Sequence, residues 1–137
     1  MGKYESVLND VFSVFDSAAW IGQNIAVFPT NYTGQNGLSE FLRITVLASR
    51  YQVANQLQSV SGQLLVEIFT SAGEGPTRAF LIADILDGYL AGKVFVSDNG
   101  STTQLISSTL GETASDGANT SLAKTLYTIP FNYYGVK

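Results

Sequence analysis

Two segments with alternating apolar and polar side chains constrain the fold more than any other feature of the chain. "FLRITV" (Phe41–Val46) and "QLLVEIFTS" (Gln63–Ser71) both read with a period of two. This period predicts strands with one face in the core, and Glu67 falls on the outward face of the second. The residues expected to be buried, including three from a later helix, are Leu42, Ile44, Val46, Leu64, Val66, Ile68, Leu81, Ile82 and Ile85.

Two other segments have the spacing of amphipathic helices. Val7, Leu8, Val11, Phe12 and Phe15 follow the i, i+3, i+4 pattern and predict a helix from Lys3 to Ala18. A second helix is predicted from Pro76 to Leu90, after the glycine turn "AGEGP". Its buried face is expected to contain Leu81, Ile82, Ile85 and Tyr89.

Four further segments are predicted to be strands: "NIAVFP", "KVFVS", "STTQLISSTLGE" and "SLAKTLYTIPFNYY". The order is then α-β-β-β-α-β-β-β, which favours an α+β fold in which both helices pack on one face of a mostly antiparallel sheet. The 137 residues are expected to form a single domain, 1–137. Thr30–Glu40 is predicted to be a loop. Ser49–Ser61 and Asp98–Thr120 read as long polar segments that are expected at interfaces, and the first is also expected to extend its flanking strands beyond the sheet.

The composition favours burial against other subunits. Only 13% of the residues are charged, about half of the quarter that is usual, and interface cores are poor in charged groups. The net charge of −4 and the scattered basic residues argue against independent binding to nucleic acid. No apolar run approaches the length of a membrane span, so a soluble protein is expected.

Residues suited to catalysis are scarce. Without histidine or cysteine, the common bases, thiolates and metal ligands are missing, so no cofactor and no metal site is expected and the chain is predicted not to be an enzyme. One alternative stays open, a small carboxylate enzyme or ligand-binding domain that uses Glu74, Asp84 and Asp87. The simpler interpretation is that Glu74 caps the second helix and both aspartates lie on its solvated flank.

The aromatic C-terminal segment allows two interpretations. Tyr127, Phe131 and Tyr133 share one face of the last predicted strand, and Tyr134 lies opposite. The rings on the shared face can belong to the core. Alternatively, the last two tyrosines can be interface anchors, since tyrosine is enriched at binding hot spots.

The middle of the chain resembles the tail-terminator (tail-completion) proteins of long-tailed phages and related tail-like particles. The resemblance rests on "GLSEFLRITVLAS" and on "SGQLLVEIFTSAGEGPTRAFLIADIL", where two strands lead through an "AGEGP" turn into a helix with the pair Ala83-Asp84. It covers roughly 37–90, extends loosely to the N-terminal helix and hardly reaches the region after Lys93.

The resemblance implies a structural virion protein at the head-proximal end of the tail, present in the host cytoplasm during assembly. Such proteins form a ring, commonly a homohexamer, that stops growth of the tail tube. The partners it implies are further copies of the chain, the major tail tube protein and the head-completion or connector protein, with DNA only passing through the lumen. A neck, head-completion or minor tail subunit is the alternative. The residues expected at interfaces are Arg43, Arg50, Tyr51, Arg78, Tyr133 and Tyr134.

Overall fold

The computed structural model describes residues 2–30, 38–97, 100–117 and 121–136. Within these ranges the chain forms helices and strands in one order. They are α1 (Lys3–Phe15), α2 (Ala18–Ile21), β1 (Val27–Pro29), β2 (Phe41–Ala54), β3 (Leu57–Ser71), α3 (Thr77–Leu90), β4 (Val94–Val96), β5 (Thr102–Leu105), β6 (Thr109–Leu110), β7 (Ala114–Ser115) and β8 (Leu122–Val136).

All described strands belong to one sheet, with the order β1-β2-β3-β8-β5-β4, while β6 and β7 also pair with β8. Every neighbouring pair is antiparallel except β1 and β2. The sheet is built on β2, β3 and β8, which are 14, 15 and 15 residues long. This confirms the predicted α+β class with a mostly antiparallel sheet.

Helices α1 and α3 pack on the same face of this sheet, as predicted. Val7, Val11 and Phe15 of α1 and Ile82 and Leu86 of α3 belong to a single buried cluster. The cluster also contains the predicted strand residues Leu42, Ile44, Leu64, Val66 and Ile68. None of the helices among the described residues is long and apolar enough to cross a membrane.

The predicted buried face of α3 is wrong at Leu81, whose surface is 49% exposed. The buried residues of this helix are Ala79, Ile82, Ala83, Leu86 and Leu90. Because "AFLIADIL" is apolar on most sides of the helix, the periodicity does not single out one face, and the small Ala79 and Ala83 give only a weak signal. Val46 and Ile85 are partly buried and pack against the core.

Several predicted boundaries also differ from the structure. The first helix ends at Phe15 rather than Ala18, because Ser17 accepts a hydrogen bond from the Trp20 amide and starts α2. "STTQLISSTLGE" forms β5 and β6 instead of one strand. Of the predicted loop Thr30–Glu40, residues 31–37 lie outside the described residues, as do 98–99 of the second polar segment and 118–120.

The polar segment Ser49–Ser61 forms the end of a long β-hairpin, so the strand extensions predicted there are present. Strands β2 and β3 continue through it, with Ala54 paired to Leu57, and only Asn55 and Gln56 lie between the two strands. Asn55 has a positive φ of 57°, which asparagine tolerates well. The β2 part of this segment is polar because every residue from Ser49 to Ala54 is exposed.

Candidate interaction surface

The turn before α3 holds Glu74 in the solvent. Gly73 and Gly75 have φ values of 86° and 75°, the left-handed region that favours glycine. The N-cap of α3 is Pro76, and no side chain caps the helix. The prediction that Glu74 caps α3 is therefore wrong, and its carboxylate is exposed on a tight turn.

The two aspartates of α3 have different surroundings. Asp84 is exposed, as predicted for a helix flank. Asp87 is partly buried, and its Oδ1 atom accepts hydrogen bonds of 2.6 Å from the Ser108 and Tyr127 hydroxyls. Asp87 therefore fastens the helix to β8 and to the segment before β6, which differs from the predicted solvated flank.

Burial, and then the hydrogen bond to Asp87, raises the pKa of Tyr127 well above its usual range. Since α3 rises about 1.5 Å per residue, its first residue, Thr77, lies about 15 Å along the helix axis from Asp87, and Glu74 lies in the turn before Thr77. Among the described residues, no three or more acidic side chains cluster as a metal site would require. The three carboxylates considered for chemistry are thus not brought together.

Two of the three arginines expected at interfaces form ion pairs within the chain. Arg43 Nε lies 2.8 Å from Glu67, and Lys124 Nζ lies 3.4 Å from the same carboxylate. The hydrogen bond with Glu67 raises the pKa of Arg43, and the same bond lowers the pKa of Glu67. Arg78 pairs with Glu40, which raises the pKa of Arg78. Both arginines thus already have an acidic partner within the chain.

The ion pair between Arg43 and Glu67 lies at one end of the face opposite the helices. Beside it the Phe41 and Phe69 rings stack with centroids 4.5 Å apart, and the Arg43 guanidinium lies over Phe69 at 5.0 Å. We call this end of the sheet the base. Its charged and aromatic side chains on this face contact one another.

The other three predicted interface residues divide into one buried and two exposed side chains. Tyr133 is only 3% exposed and belongs to the core, together with Tyr127 and Phe131. It is not available as an interface anchor. Tyr134, on the opposite face, is 51% exposed, and Tyr51 is 41% exposed under the Lys3 ammonium. Arg50 is exposed and forms no ion pair within the described part of the chain.

Tyr134 belongs to a concave surface at the end of the sheet away from the base, which we call the tip surface. It encloses about 720 Å³, and its residues come from the β2–β3 hairpin, the end of β8 and the turn between β4 and β5. They are Gln52, Val53, Ala54, Leu57, Gln58, Ser59, Gly100, Tyr134, Gly135 and Val136. Leu57 and Val136 are 64% and 63% exposed, and none of these lining residues is charged.

Strand β2 changes character between the base and the tip surface. Its first residues are buried or half-buried, whereas every residue from Leu47 to Ala54 is exposed. The change coincides with a bulge between Ala48 and Arg50. Opposite the bulge, a Cβ atom on Gly62 would lie 2.0 Å from the Leu47 carbonyl oxygen, so only glycine allows this close approach.

The sequence indicated only part of this surface. Tyr134 was predicted to face away from the core, and Ser49–Ser61 was expected at an interface. Leu57 and Val136 were missed, because a single apolar residue beside a turn or near the chain end carries no periodic signal. Their proximity follows from the pairing of Leu57 with Val136, which the sequence does not state.

The comparisons with known proteins bear on the fold alone. No protein-family model matches the chain, and no curated protein matches it. A solved structure, of a protein whose name describes no function, matches with a TM-score of 0.63 and 16% sequence identity. The match covers 98% of this chain and 91% of that one. At this identity, the match shows that the two proteins share a fold.

Proposed function

We propose that this chain is a ring-forming tail terminator. In this role it caps the head-proximal end of a tail tube, stops polymerisation of the tube and presents an attachment surface to the head connector. The tip surface is the observation that carries the proposal. It combines exposed Leu57, Tyr134 and Val136 with uncharged neighbours, a composition that can be buried against another protein at little desolvation cost.

The arrangement of the molecule along its strands suits such a role. A terminator needs one surface that matches the tube and another that does not recruit further tube subunits. The tip surface is uncharged, and the base carries ion pairs between Arg43 and Glu67 and between Arg78 and Glu40. The two ends of the same long strands therefore have different chemistry, and neither requires a catalytic group.

The sequence resemblance supplies the specific role. It involves Phe41–Leu47, Leu64–Thr70 and the turn that leads into α3. These segments form the helix-covered part of the sheet and the start of α3. The resemblance thus lies in the body of the domain, while the tip surface is where partner contacts are expected.

Electron microscopy of particles assembled without this chain tests the proposal. The expected result is overlong, headless tubes together with tailless heads. Tails of normal length firmly joined to heads would contradict it. Heads with detached tails of normal length would instead favour the neck or head-completion role.

Complementation with variants sharpens this test. Replacing Leu57 by aspartate places a charge on the tip surface at an exposed position, so we expect overlong tubes despite a folded protein. The matched control is Glu74→Gln, which changes an exposed carboxylate far from this surface and is expected to restore normal tails. Normal tails with both variants would exclude the tip surface from the function.

A further inference from the structure

The sheet has a free edge on each side in the described part of the chain. On one side β1 covers only Leu42–Ile44 of β2, and no described strand pairs with the rest of that edge. On the other side β4 is the last strand. An unpaired strand edge presents backbone N–H and C=O groups that another strand can bind.

The backbone groups that point outward follow from the hydrogen bonds already present. On β2 the Leu42 amide and the Ile44 carbonyl bond toward β1. Because backbone groups alternate in direction along a strand, those of Val46 and Ala48 also point away from β3. The bulge adds one residue, so beyond it the outward backbone groups are those of Tyr51 and Val53.

On β4 the Lys93 carbonyl and the Ser97 amide bond toward β5. By the same alternation, the backbone groups of Val94 and Val96 point away from the sheet. These two side chains are also 53% and 69% exposed. On the other edge, Tyr51 and Val53 of β2 are 41% and 45% exposed. Both free edges thus carry exposed apolar residues.

The two edges lie at the same height along the strands. Successive pairs across the sheet connect Phe95 to Thr103, Thr103 to Tyr133, Tyr133 to Val60 and Val60 to Tyr51. Tyr51 on one edge is therefore level with the middle residue of β4 on the other.

We propose that β4 of one copy pairs in parallel with the free edge of β2 in the next copy. All copies then form one continuous sheet around a ring. Tyr51 lies between Val94 and Val96 of the next copy, and its amide and carbonyl bond to their backbone groups. In a parallel ladder, a residue bonds to the two residues that flank the one opposite it. Tyr51 lies opposite Phe95, and the outward backbone groups of Val94 and Val96 flank Phe95.

The matching heights identify a second copy as the partner. A closed ring repeats one head-to-tail contact and returns to its start, so the contact cannot shift along the ring axis. If the strands run roughly along the ring axis, the equal heights of the β2 and β4 edges allow the copies to pair without such a shift. The inference rests on the proposed function for the ring, while the pairing itself comes from the sheet register.

Cysteine cross-linking of the full chain tests the pairing, since the natural sequence contains no cysteine. Arg50 and Val94 are level with each other across the sheet, as are Gln52 and Val96. Within one copy each pair is separated by four strand spacings, about 19 Å, which is too far for a disulfide. We expect oxidised Arg50→Cys/Val94→Cys and Gln52→Cys/Val96→Cys proteins to give a series of covalent multimers on non-reducing gels.

The matched control is Gln52→Cys/Val94→Cys, which is offset by two residues. The offset moves the sulfurs about 7 Å apart along the strand, and we expect at least tenfold less multimer. Multimers from the in-register pairs that exceed the control in this way support the pairing. No multimers, or equal amounts from the offset pair, overturn it.

A proline variant provides an independent measurement. Tyr51→Pro removes an outward amide and leaves the β2–β3 ladder intact, whereas Tyr51→Ala keeps the amide. Light scattering should show that Tyr51→Pro loses assembly while Tyr51→Ala retains more of it. Equal assembly would overturn the pairing. Overlong tails without the chain, but no cross-linked series, would leave the terminator function intact and refute this interface. Tails of normal length without the chain, together with a cross-linked series, would refute the function alone.

Discussion

The base and the tip surface are built from the same three strands but differ in whether their side chains contact partners within the chain. At the base, Arg43 bonds Glu67 and stacks over Phe69, so these groups contact each other within the chain. At the tip surface, Leu57 and Val136 pair across the sheet yet remain more than 60% exposed. The side chains of the base thus find partners within the subunit, whereas the apolar side chains of the tip surface remain exposed.

This difference shows that sheet register alone does not determine burial. Residues Leu42 and Val53 lie on the same strand and on the helix-covered side of the sheet, but they are 0% and 45% exposed. Leu42 belongs to the buried core cluster, whereas Val53 lies outside it. Mutations at the two ends should therefore separate stability from assembly.

The largest expected effect is the loss of a core side chain near the base. Leu42→Ala should lower the free energy of unfolding by about 2–5 kcal/mol, because it leaves a cavity in a fully buried site. Val53→Ala, on the same strand near the tip surface, should change it by less than about 0.5 kcal/mol. Urea denaturation of both variants measures this difference, and equal losses would abolish the contrast between the two ends.

The next effect concerns the buried hydroxyl of Tyr127. Tyr127→Phe removes the hydrogen bond to Asp87 and should cost about 1.5–3 kcal/mol at neutral pH, because the acceptor is a carboxylate. Ser108→Ala, which removes the other 2.6 Å hydrogen bond to the same oxygen, is the matched comparison. A loss below about 0.5 kcal/mol in both variants would contradict a structural role for Asp87.

The same tyrosine predicts a pH dependence. Its pKa is raised in the folded protein, so it favours folding fully below the unfolded value, about 10. This contribution is lost as the pH rises from that value toward the folded pKa. Between pH 9 and pH 11 the wild type should therefore lose more stability than Tyr127→Phe. Parallel loss in both proteins would show that Tyr127 is not responsible.

The sequence predicted the fold better than the surface for physical reasons. The alternation around Ile44 and Val66 identified strands and their buried faces, because one side of each strand meets the helices. No alternation marks Ser49–Ala54, since these residues of β2 are all exposed, so the strand extension expected there was predicted without its faces or its pairing. Asp87 read as a solvated side chain because its partners, Ser108 and Tyr127, are 21 and 40 residues away in sequence.

A smaller effect is expected at the boundary between the two ends. Gly62→Ala should cost about 1–3 kcal/mol, because its Cβ would overlap the Leu47 carbonyl and force the bulge to move. Gly88→Ala, on an exposed helix position with open space around it, is the control and should be neutral or slightly stabilising. Thermal unfolding distinguishes the two, and an unchanged melting temperature for Gly62→Ala would mean that the bulge is not tightly constrained.

The ion pair at the base should contribute less. Glu67→Gln is expected to cost about 0.5–1 kcal/mol at pH 7, since the pair is bidentate but partly exposed. The pKa of Glu67 is lowered by its hydrogen bond with Arg43, so this stability is present above the unfolded pKa of about 4.3 and is lost as the pH falls through the folded pKa. Wild type and variant should therefore converge toward pH 2. A constant difference from pH 7 to pH 2 would exclude the ion pair as its cause.

The smallest expected effect on stability is at the tip surface, where it is also the most informative. Leu57→Ser should change the free energy of unfolding by less than about 0.5 kcal/mol, because the side chain is 64% exposed in the free subunit. If the surface is buried on assembly, the same change should weaken association by at least tenfold, since it removes a buried apolar side chain. Sedimentation at several concentrations compares Leu57→Ser with Leu81→Ser, a helix residue of similar exposure that lies away from the tip surface. Loss of association only in Leu57→Ser would assign the contact to the tip surface, and equal behaviour of both variants would remove it from the assembly.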